Sequence, residues 1–310
     1  MKVLVTGGCG FIGSHIAEEL AKKGFDVTVL DDLSLGTTDN IKDLNVKFIK
    51  GDSEIVATLD EQYDAILHNG IPSSSPMYKR DPYLVTKAIR GMISVLEYAK
   101  KRKAKVILAS TSSIYNGNPV PWREDMDIKV TDYYTEARLY CERLCKLYAY
   151  LHGVESVALR YFSVFGEREE HKGGYANVIT QMLWSALKGQ EFVVYGDGTQ
   201  TRDLIYVKDV AEANIKALEF NDYTGNVKFE VFNVGSGTAY SFNDMAKLLK
   251  SHGLEVKLIY KENPIANYVY HTLADMTKAK QLLKFSPRHR VEDVLPRLID
   301  YYKKVIMGST

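Results

Sequence analysis

"VTGGCGFIGSH", residues 5–15, is the stretch that decides the fold. The β-branched run "KVLV" leads into it, and the helical pattern "SHIAEELAKKG" leaves it. The glycines therefore stand at a strand-to-helix turn. Gly7, Gly10 and Gly13 have G-x-x-G-x-x-G spacing, a variant of the dinucleotide fingerprint. Glycine lets such a turn be tight, lets backbone approach a pyrophosphate, and lets the helix pack close to the sheet. The helix N-terminus then offers unpaired N–H groups to the phosphates. Ile16, Leu20 and Ala21 share one face of that helix, and Gly24 is a natural stop.

About twenty residues on, the second strand closes in "VLDDL". An acidic side chain there can grip a ribose diol. Asp31 is the better candidate, and Asp32 adds to the negative field. Two carboxylates repel a 2′-phosphate, which favours NAD over NADP.

Working outward, "DVTVLDD", "VKFIKGD", "DAILHN", "KVILAST" and "SVALRYFSV" read, with the first run, as buried parallel strands, being apolar almost throughout. Amphipathic segments separate them. This alternation predicts a doubly wound α/β fold, a parallel Rossmann sheet. After residue 165 the loops lengthen, as in "GEREEHKGGYAN" and "YGDGTQTRD", and helices dominate. The expected division is a nucleotide domain over 1–165, rejoined near 203–210 and 230–237, and a smaller, mostly helical substrate domain over 166–310.

Composition excludes little and is ordinary for a soluble globular protein. The chain has 310 residues, 45% of them apolar, and a formal net charge of +1. That charge gives no reason to expect a nucleic-acid or membrane partner. No apolar run reaches about 18 residues and "MKVLVTGG" reads as a strand, so a cytoplasmic protein is expected. Cys9, Cys141 and Cys145 fit a reducing compartment and, lacking a ligand cluster, packing roles; no metal site is expected. The basic run "KKRKAK", 100–105, reads as a solvated helix end.

With these features in hand, the chain resembles the extended short-chain dehydrogenase/reductase family, and within it the UDP-glucose 4-epimerase group. The likeness runs over nearly the whole length: "GGCGFIG", "LDDLSLG", "KGD", "RDPY" with "RGMISVLEYA", "STSSIYNG", "YTEARLYCE", "LRYFSVFG", "YGDGTQTRDLIYVKDV", "NVGSG" and "HTLADMTKAKQLL". The resemblance implies tightly held NAD, a UDP-hexose or related nucleotide-sugar substrate, and a homodimer joined through helices near 83–101 and 134–151. It implies that Gly7, Gly10, Phe11, Ile12, Gly13, Asp31, Asp32, Leu33, Ser34, Gly36, Asp52, Ser53, Asn69, Gly70, Ile71, Tyr134, Arg138 and Phe162 contact the cofactor. Ser163, Asn177, Val178, Tyr195 and Arg202, with Thr111 and Tyr134, would meet the substrate. Arg202 matches a diphosphate bidentately; a surface salt bridge with Asp203 is its rival reading, and a helix N-cap is that of Asn177.

The chemistry centres on Tyr134. A phenol, with a pKa of about 10, is a poor base at neutral pH. A cation at about 4 Å supplies roughly 4 kcal/mol toward the phenolate at an effective dielectric near 20. The residue one helical turn on can carry it. Family members have lysine there; this chain has Arg138, planar and longer, which predicts re-tuned chemistry. "YLVTK", Tyr83 to Lys87, has the literal Tyr-x-x-x-Lys spacing in the wrong segment and reads as coincidence. Thr111 matches the family's hydrogen-bond partner of the reacting hydroxyl. Related dehydratases place Asp-Glu directly after it, and decarboxylases a Glu two residues after. Here Ser112 and Ser113 argue against both.

Other departures are Asn69, Gly70 and Ile71 after His68, Ala88 for an asparagine, and Ser163 for an asparagine. Ile265, Ala266, Asn267 and Tyr268 replace the segment carrying a second phosphate-gripping arginine. Three readings compete: a nucleotide-sugar epimerase acting at C4, an oxidoreductase on an outside substrate, and a non-catalytic binder of NAD or a nucleotide sugar.

Overall fold

The computed structural model describes residues 1–129 and 131–308. The glycine turn joins β1 (Lys2–Thr6) to α1 (Phe11–Lys22), and β2 (Asp26–Asp31) returns parallel to β1. Then come β3 (Lys47–Lys50), β4 (Ala65–His68), α2 (Ser75–Arg80), α3 (Leu84–Arg102), β5 (Lys105–Thr111), α4 (Tyr133–His152) and β6 (Ser156–Tyr161). The remainder holds β7 (Ser163–Phe165), α5 (Val178–Leu187), β8 (Glu191–Tyr195), β9 (Thr201–Tyr206), α6 (Val207–Glu219) and β10 (Phe229–Val234). After these lie β11 (Ala239–Ser241), α7 (Phe242–Ser251), β12 (Lys257–Lys261) and α8 (Val291–Met307).

Seven parallel strands form the main sheet in the order β10-β6-β5-β4-β1-β2-β3. From β1 the chain winds out through β2 and β3, then returns to β4 on the other side. Strand order reverses between β1 and β4, so a crevice opens at their C-terminal ends, where doubly wound sheets bind ligands. The helix α6 packs on α1 and β10 docks on β6, so residues 207–234 rejoin this layer.

Two strand readings are corrected. The run at 47–50 is an edge strand paired only with β2, and Lys47, Phe48 and Lys50 are exposed rather than buried. Lysines on such an edge deter pairing with other chains. The run 156–164 is two strands: the Phe162 N–H donates to the Val234 carbonyl at 3.0 Å, and β7 then pairs with β9 in a separate three-stranded sheet. That departure turns Phe162 and Ser163 toward the crevice.

Helix ends fix the register of the site. Asp132 Oδ1 accepts the Thr135 N–H at 2.9 Å, and Thr135 Oγ1 accepts the Asp132 N–H at 3.1 Å. This reciprocal cap sets the first turn of α4, which carries Tyr134. At the other end of α3, Lys100, Lys101 and Arg102 complete the last turn before left-handed Lys103. The helices α3 and α4 pack side by side. Cys9, Cys141 and Cys145 are buried and free of disulfides. No described helix is long and apolar enough to cross a membrane.

Candidate active site

The crevice is a cavity of about 550 Å³ lined from both layers. Gly7, Gly10, Phe11, Ile12 and Gly13 form one wall; Asp31, Asp32, Ser34 and Gly36 close one end. Asp52, Ser53, Asn69, Gly70, Ile71, Thr111, Tyr134, Arg138, Phe162, Ser163, Asn177 and Arg202 of the expected set also line it.

The glycines are required by close approach. Gly7 adopts a left-handed φ of +67°, and a methyl group there would lie 2.7 Å from the Gly70 nitrogen. A methyl group at Gly13 would lie 2.1 Å from the Gly7 carbonyl oxygen. No side chain caps α1 and its first turn holds no acid, leaving the N-terminus for an external anion. The floor is polar and fixed: Thr6 Oγ1 accepts the Gly70 N–H at 3.0 Å and meets His68 Nδ1 at 2.8 Å. Burial, then nearby Arg138, pulls His68 down to about 3, so this imidazole is neutral.

Asp31 is held by the Cys9 N–H at 2.9 Å and the Leu33 N–H at 2.8 Å. Burial raises its pKa, partly countered by those backbone donors. Asp32 differs. Burial opposes its charge, yet hydrogen bonds from Ser34 and Lys87 carry it below the usual carboxylate range. Lys87 Nζ lies 3.0 Å from Asp32 Oδ2. The lysine of "YLVTK" is therefore part of the cavity wall, while Tyr83 points to solvent. One of the two carboxylates is thus neutralised by its own counter-ion.

Tyr134 is buried against the Tyr78 ring, 5.5 Å between centroids. The Arg138 guanidinium lies 5.3 Å from the Tyr134 ring centroid. It donates to the Ala109 carbonyl at 2.5 Å, the Pro72 carbonyl at 3.0 Å and the Ile71 carbonyl at 3.4 Å. A planar fork thus ties the end of β5 to the turn after β4 beneath the tyrosine, a span that a single ammonium cannot make. Thr111 Oγ1 accepts the Ser113 N–H at 3.2 Å, which leaves its own O–H to donate into the cavity. Behind this wall Glu142 and Arg160 form a fully buried pair at 2.7 Å, extended by Ser110 and Tyr115.

Across the cavity, Arg202 sits between the Phe242 ring at 5.2 Å and the Tyr268 ring at 5.6 Å. Its neighbour Asp203 faces the opposite side of β9, accepting the N–H groups of Ser236, Gly237 and Ala274. Alternate residues of a strand point to opposite faces, so the two form no salt bridge. Among the described residues the Arg202 charge has no carboxylate partner, and burial lowers its pKa, a penalty that a bound anion removes. Asn177 lines the cavity and also caps α5, its amide oxygen accepting the Ile179 N–H at 3.2 Å.

Leu33, Val178 and Tyr195 lie off the cavity wall. Leu33 is turned aside by a left-handed φ of 62°, Val178 opens α5, and Tyr195 ends β8 facing solvent. The wall also holds residues that sequence reasoning passed over: Ser73, Ser74, Lys87, Lys172, Tyr175 and Thr272. The Ser73 and Ser74 hydroxyls are buried without a protein partner, which marks them as free for a ligand. Their signal in sequence was the polar triplet at 73–75 directly after a strand-end turn.

A glycine-cradled helix start, an acid at the end of the second strand, and Tyr134 and Thr111 on the wall of the same cavity are the arrangement of the dinucleotide-dependent short-chain dehydrogenase/reductase type. The chain belongs to the NAD dependent epimerase/dehydratase family, whose model matches residues 3–235. It is 34% identical to a putative UDP-glucose 4-epimerase of Methanocaldococcus jannaschii over 97% of this chain and 98% of that one. It is 31% identical to a UDP-N-acetyl-alpha-D-glucosaminuronate decarboxylase of Bacillus cytotoxicus over 98% of each. Among solved structures it resembles the UDP-glucose 4-epimerase of Thermotoga maritima with UDP-glucose, TM-score 0.91, 30% identity, over 99% of this chain and 100% of that one.

Proposed function

We propose that this chain is a nucleotide-sugar epimerase that interconverts UDP-glucose and UDP-galactose, or close relatives, at C4. The observation that carries this reading is one cavity joining the glycine cradle, the Tyr134–Thr111 pair and the unneutralised Arg202. NAD fits the cradle, because Gly7 and Gly13 let the turn pack tightly on its own backbone and on the Asn69–Gly70 turn, so that the uncapped start of α1 faces the cavity. When bound there it supplies the redox chemistry. Tyr134 is the base that takes the proton of the C4 hydroxyl and later returns it. Thr111 donates to the same oxygen and holds it in line. Arg138 stabilises the phenolate charge and fixes the turn on which the sugar rests. Arg202 holds the diphosphate while the sugar turns, with Ser73 and Ser74 offering hydroxyls to it.

A decarboxylase is the second reading, favoured by the Bacillus cytotoxicus likeness. Ser112 and Ser113 speak for the epimerase, since neither is an acid or base near neutral pH. An assay with NAD and UDP-galactose, against UDP-glucuronate and its N-acetylated analogue, separates the two. Sugar interconversion without carbon dioxide supports the proposal; carbon dioxide release overturns it.

The second-copy partner belongs to the same proposal. Tyr140, Leu147 and Leu151 form an exposed apolar stripe along α4, with Ile93 beside them on α3. A two-fold copy of the same helix pair would cover them.

A further inference from the structure

The loop from Glu170 to Tyr175 sets Lys172 and Tyr175 on the cavity wall, and its lysine has no role in the chemistry above. Among the described residues, four cationic side chains line the cavity: Lys87, Arg138, Lys172 and Arg202. Lys87 is spent on Asp32 at the acidic end. Arg138 is spent on three carbonyls beneath Tyr134. Arg202 stands between two rings on β9. Lys172 alone stands at the start of α1, its ammonium 5.3 Å from the Phe11 ring centroid. A cation and a helix N-terminus face the same volume, and both favour an anion there.

Its protein contact does not exhaust it. Lys172 Nζ reaches Glu169 Oε1 at 3.2 Å, but that buried carboxylate already accepts the Asn177 N–H at 2.6 Å and the Thr180 hydroxyl at 2.7 Å. The loop is built to be latched. Gly173 takes a left-handed φ of 52°, and Gly173 and Gly174 border open space. On its far side, Arg80 Nη1 donates to the Tyr175 hydroxyl at 2.8 Å, tying the loop to α2.

We propose that Lys172 is a coenzyme-binding residue, gripping the diphosphate of a dinucleotide seated on α1 from a strap, residues 170–175, that Arg80 latches through Tyr175. The proposal rests on the coenzyme reading of the glycine cradle. It assigns retention of the coenzyme to the loop that also begins the sugar-facing helix α5, so the strap must open for NAD to exchange.

The test is equilibrium and stopped-flow binding of NAD to nucleotide-stripped wild type, Lys172→Gln and Lys172→Arg, at low and high salt, with the melting temperature of each apo protein. One charge-assisted contact predicts that Lys172→Gln weakens NAD about tenfold, speeds its release and flattens the salt dependence. Lys172→Arg keeps affinity within about threefold, because the charge remains. UDP binding stays unchanged in both. Unaltered NAD affinity and release in Lys172→Gln would overturn the proposal, with a lowered apo melting temperature returning Lys172 to a structural partner of Glu169 and a lowered turnover moving it to the sugar. A wild type that binds no NAD would overturn the coenzyme reading itself, and the clamp with it.

Discussion

Replacing Arg138 tests whether the site has adapted to its unusual cation. In Arg138→Met the guanidinium 5.3 Å from the Tyr134 ring is lost. A unit cation roughly 5 to 6 Å from a phenolate oxygen contributes about 3 kcal/mol at an effective dielectric near 20. Turnover should fall about a hundredfold, at roughly 1.4 kcal/mol per factor of ten. Arg138→Lys keeps the charge but not the fork over the Ala109, Ile71 and Pro72 carbonyls. Two hydrogen bonds at about 1 kcal/mol each predict a stability loss of roughly 2 kcal/mol. At about 2–4 °C per kcal/mol for a chain of this size class, melting should drop by about 4–8 °C. Its turnover should fall about tenfold, with KM for the nucleotide sugar little changed, as the tilted ring meets the C4 hydroxyl poorly. The assay is sugar interconversion by NMR beside thermal melting. Turnover of the lysine variant at or above wild type would refute the adaptation argument; a methionine variant within threefold of wild type would refute the charge argument.

Other perturbations reach other parts of the account. Arg202→Ala removes the guanidinium held between Phe242 and Tyr268, and should raise KM for the nucleotide sugar about thirtyfold or more while NAD binding holds. Equal losses toward both ligands would contradict the assignment. Glu142→Gln leaves Arg160 buried without its counter-ion, and should cost about 3–5 kcal/mol in denaturant unfolding. Burial first, then Arg168 beside His15 and Arg138 beside His68, keeps these imidazoles neutral in the fold down to about 4 and about 3. The unfolded chain takes up those protons near pH 6.5, so it binds more protons in between and stability falls as pH drops from about 6.5 toward 4. His68→Asn should flatten part of that slope in melting curves, and an unchanged slope would count against it. Leu147→Glu, in the exposed α4 stripe, should shift sedimentation from dimer to monomer; a monomeric wild type would end the dimer proposal.

Much of the fold could be read from local pattern. The glycine turn, the β-branched runs and the amphipathic helices each signal themselves within about a dozen residues. What failed depended on neighbours. The run at 47–50 is apolar enough for a core strand, but only sheet order makes it an edge. Residues 156–164 read as one strand because nothing local marks the switch of partner from β10 to β9. The site divides the same way. Glycines, Asp31 and Tyr134 announce themselves by spacing, Thr111 only through the family resemblance, and all line the cavity. Lys87 carried a misleading spacing, and its true role depends on Asp32, 55 residues away in sequence. Lys172 stood in a polar loop with no periodic signal, and only tertiary packing sets it against Phe11. Tyr268, in the segment where the resemblance expects a second arginine, instead sets its ring against Arg202.

The central claim is that one cavity brings coenzyme and sugar to Tyr134 for a reaction with no net redox change. The most direct measurement follows purified protein with NAD and UDP-galactose, recording the product sugar by NMR and NADH by absorbance together. The account predicts UDP-glucose approaching equilibrium with no accumulating NADH, and loss of that product in Tyr134→Phe. Accumulating NADH, or product formation undiminished in Tyr134→Phe, would contradict it.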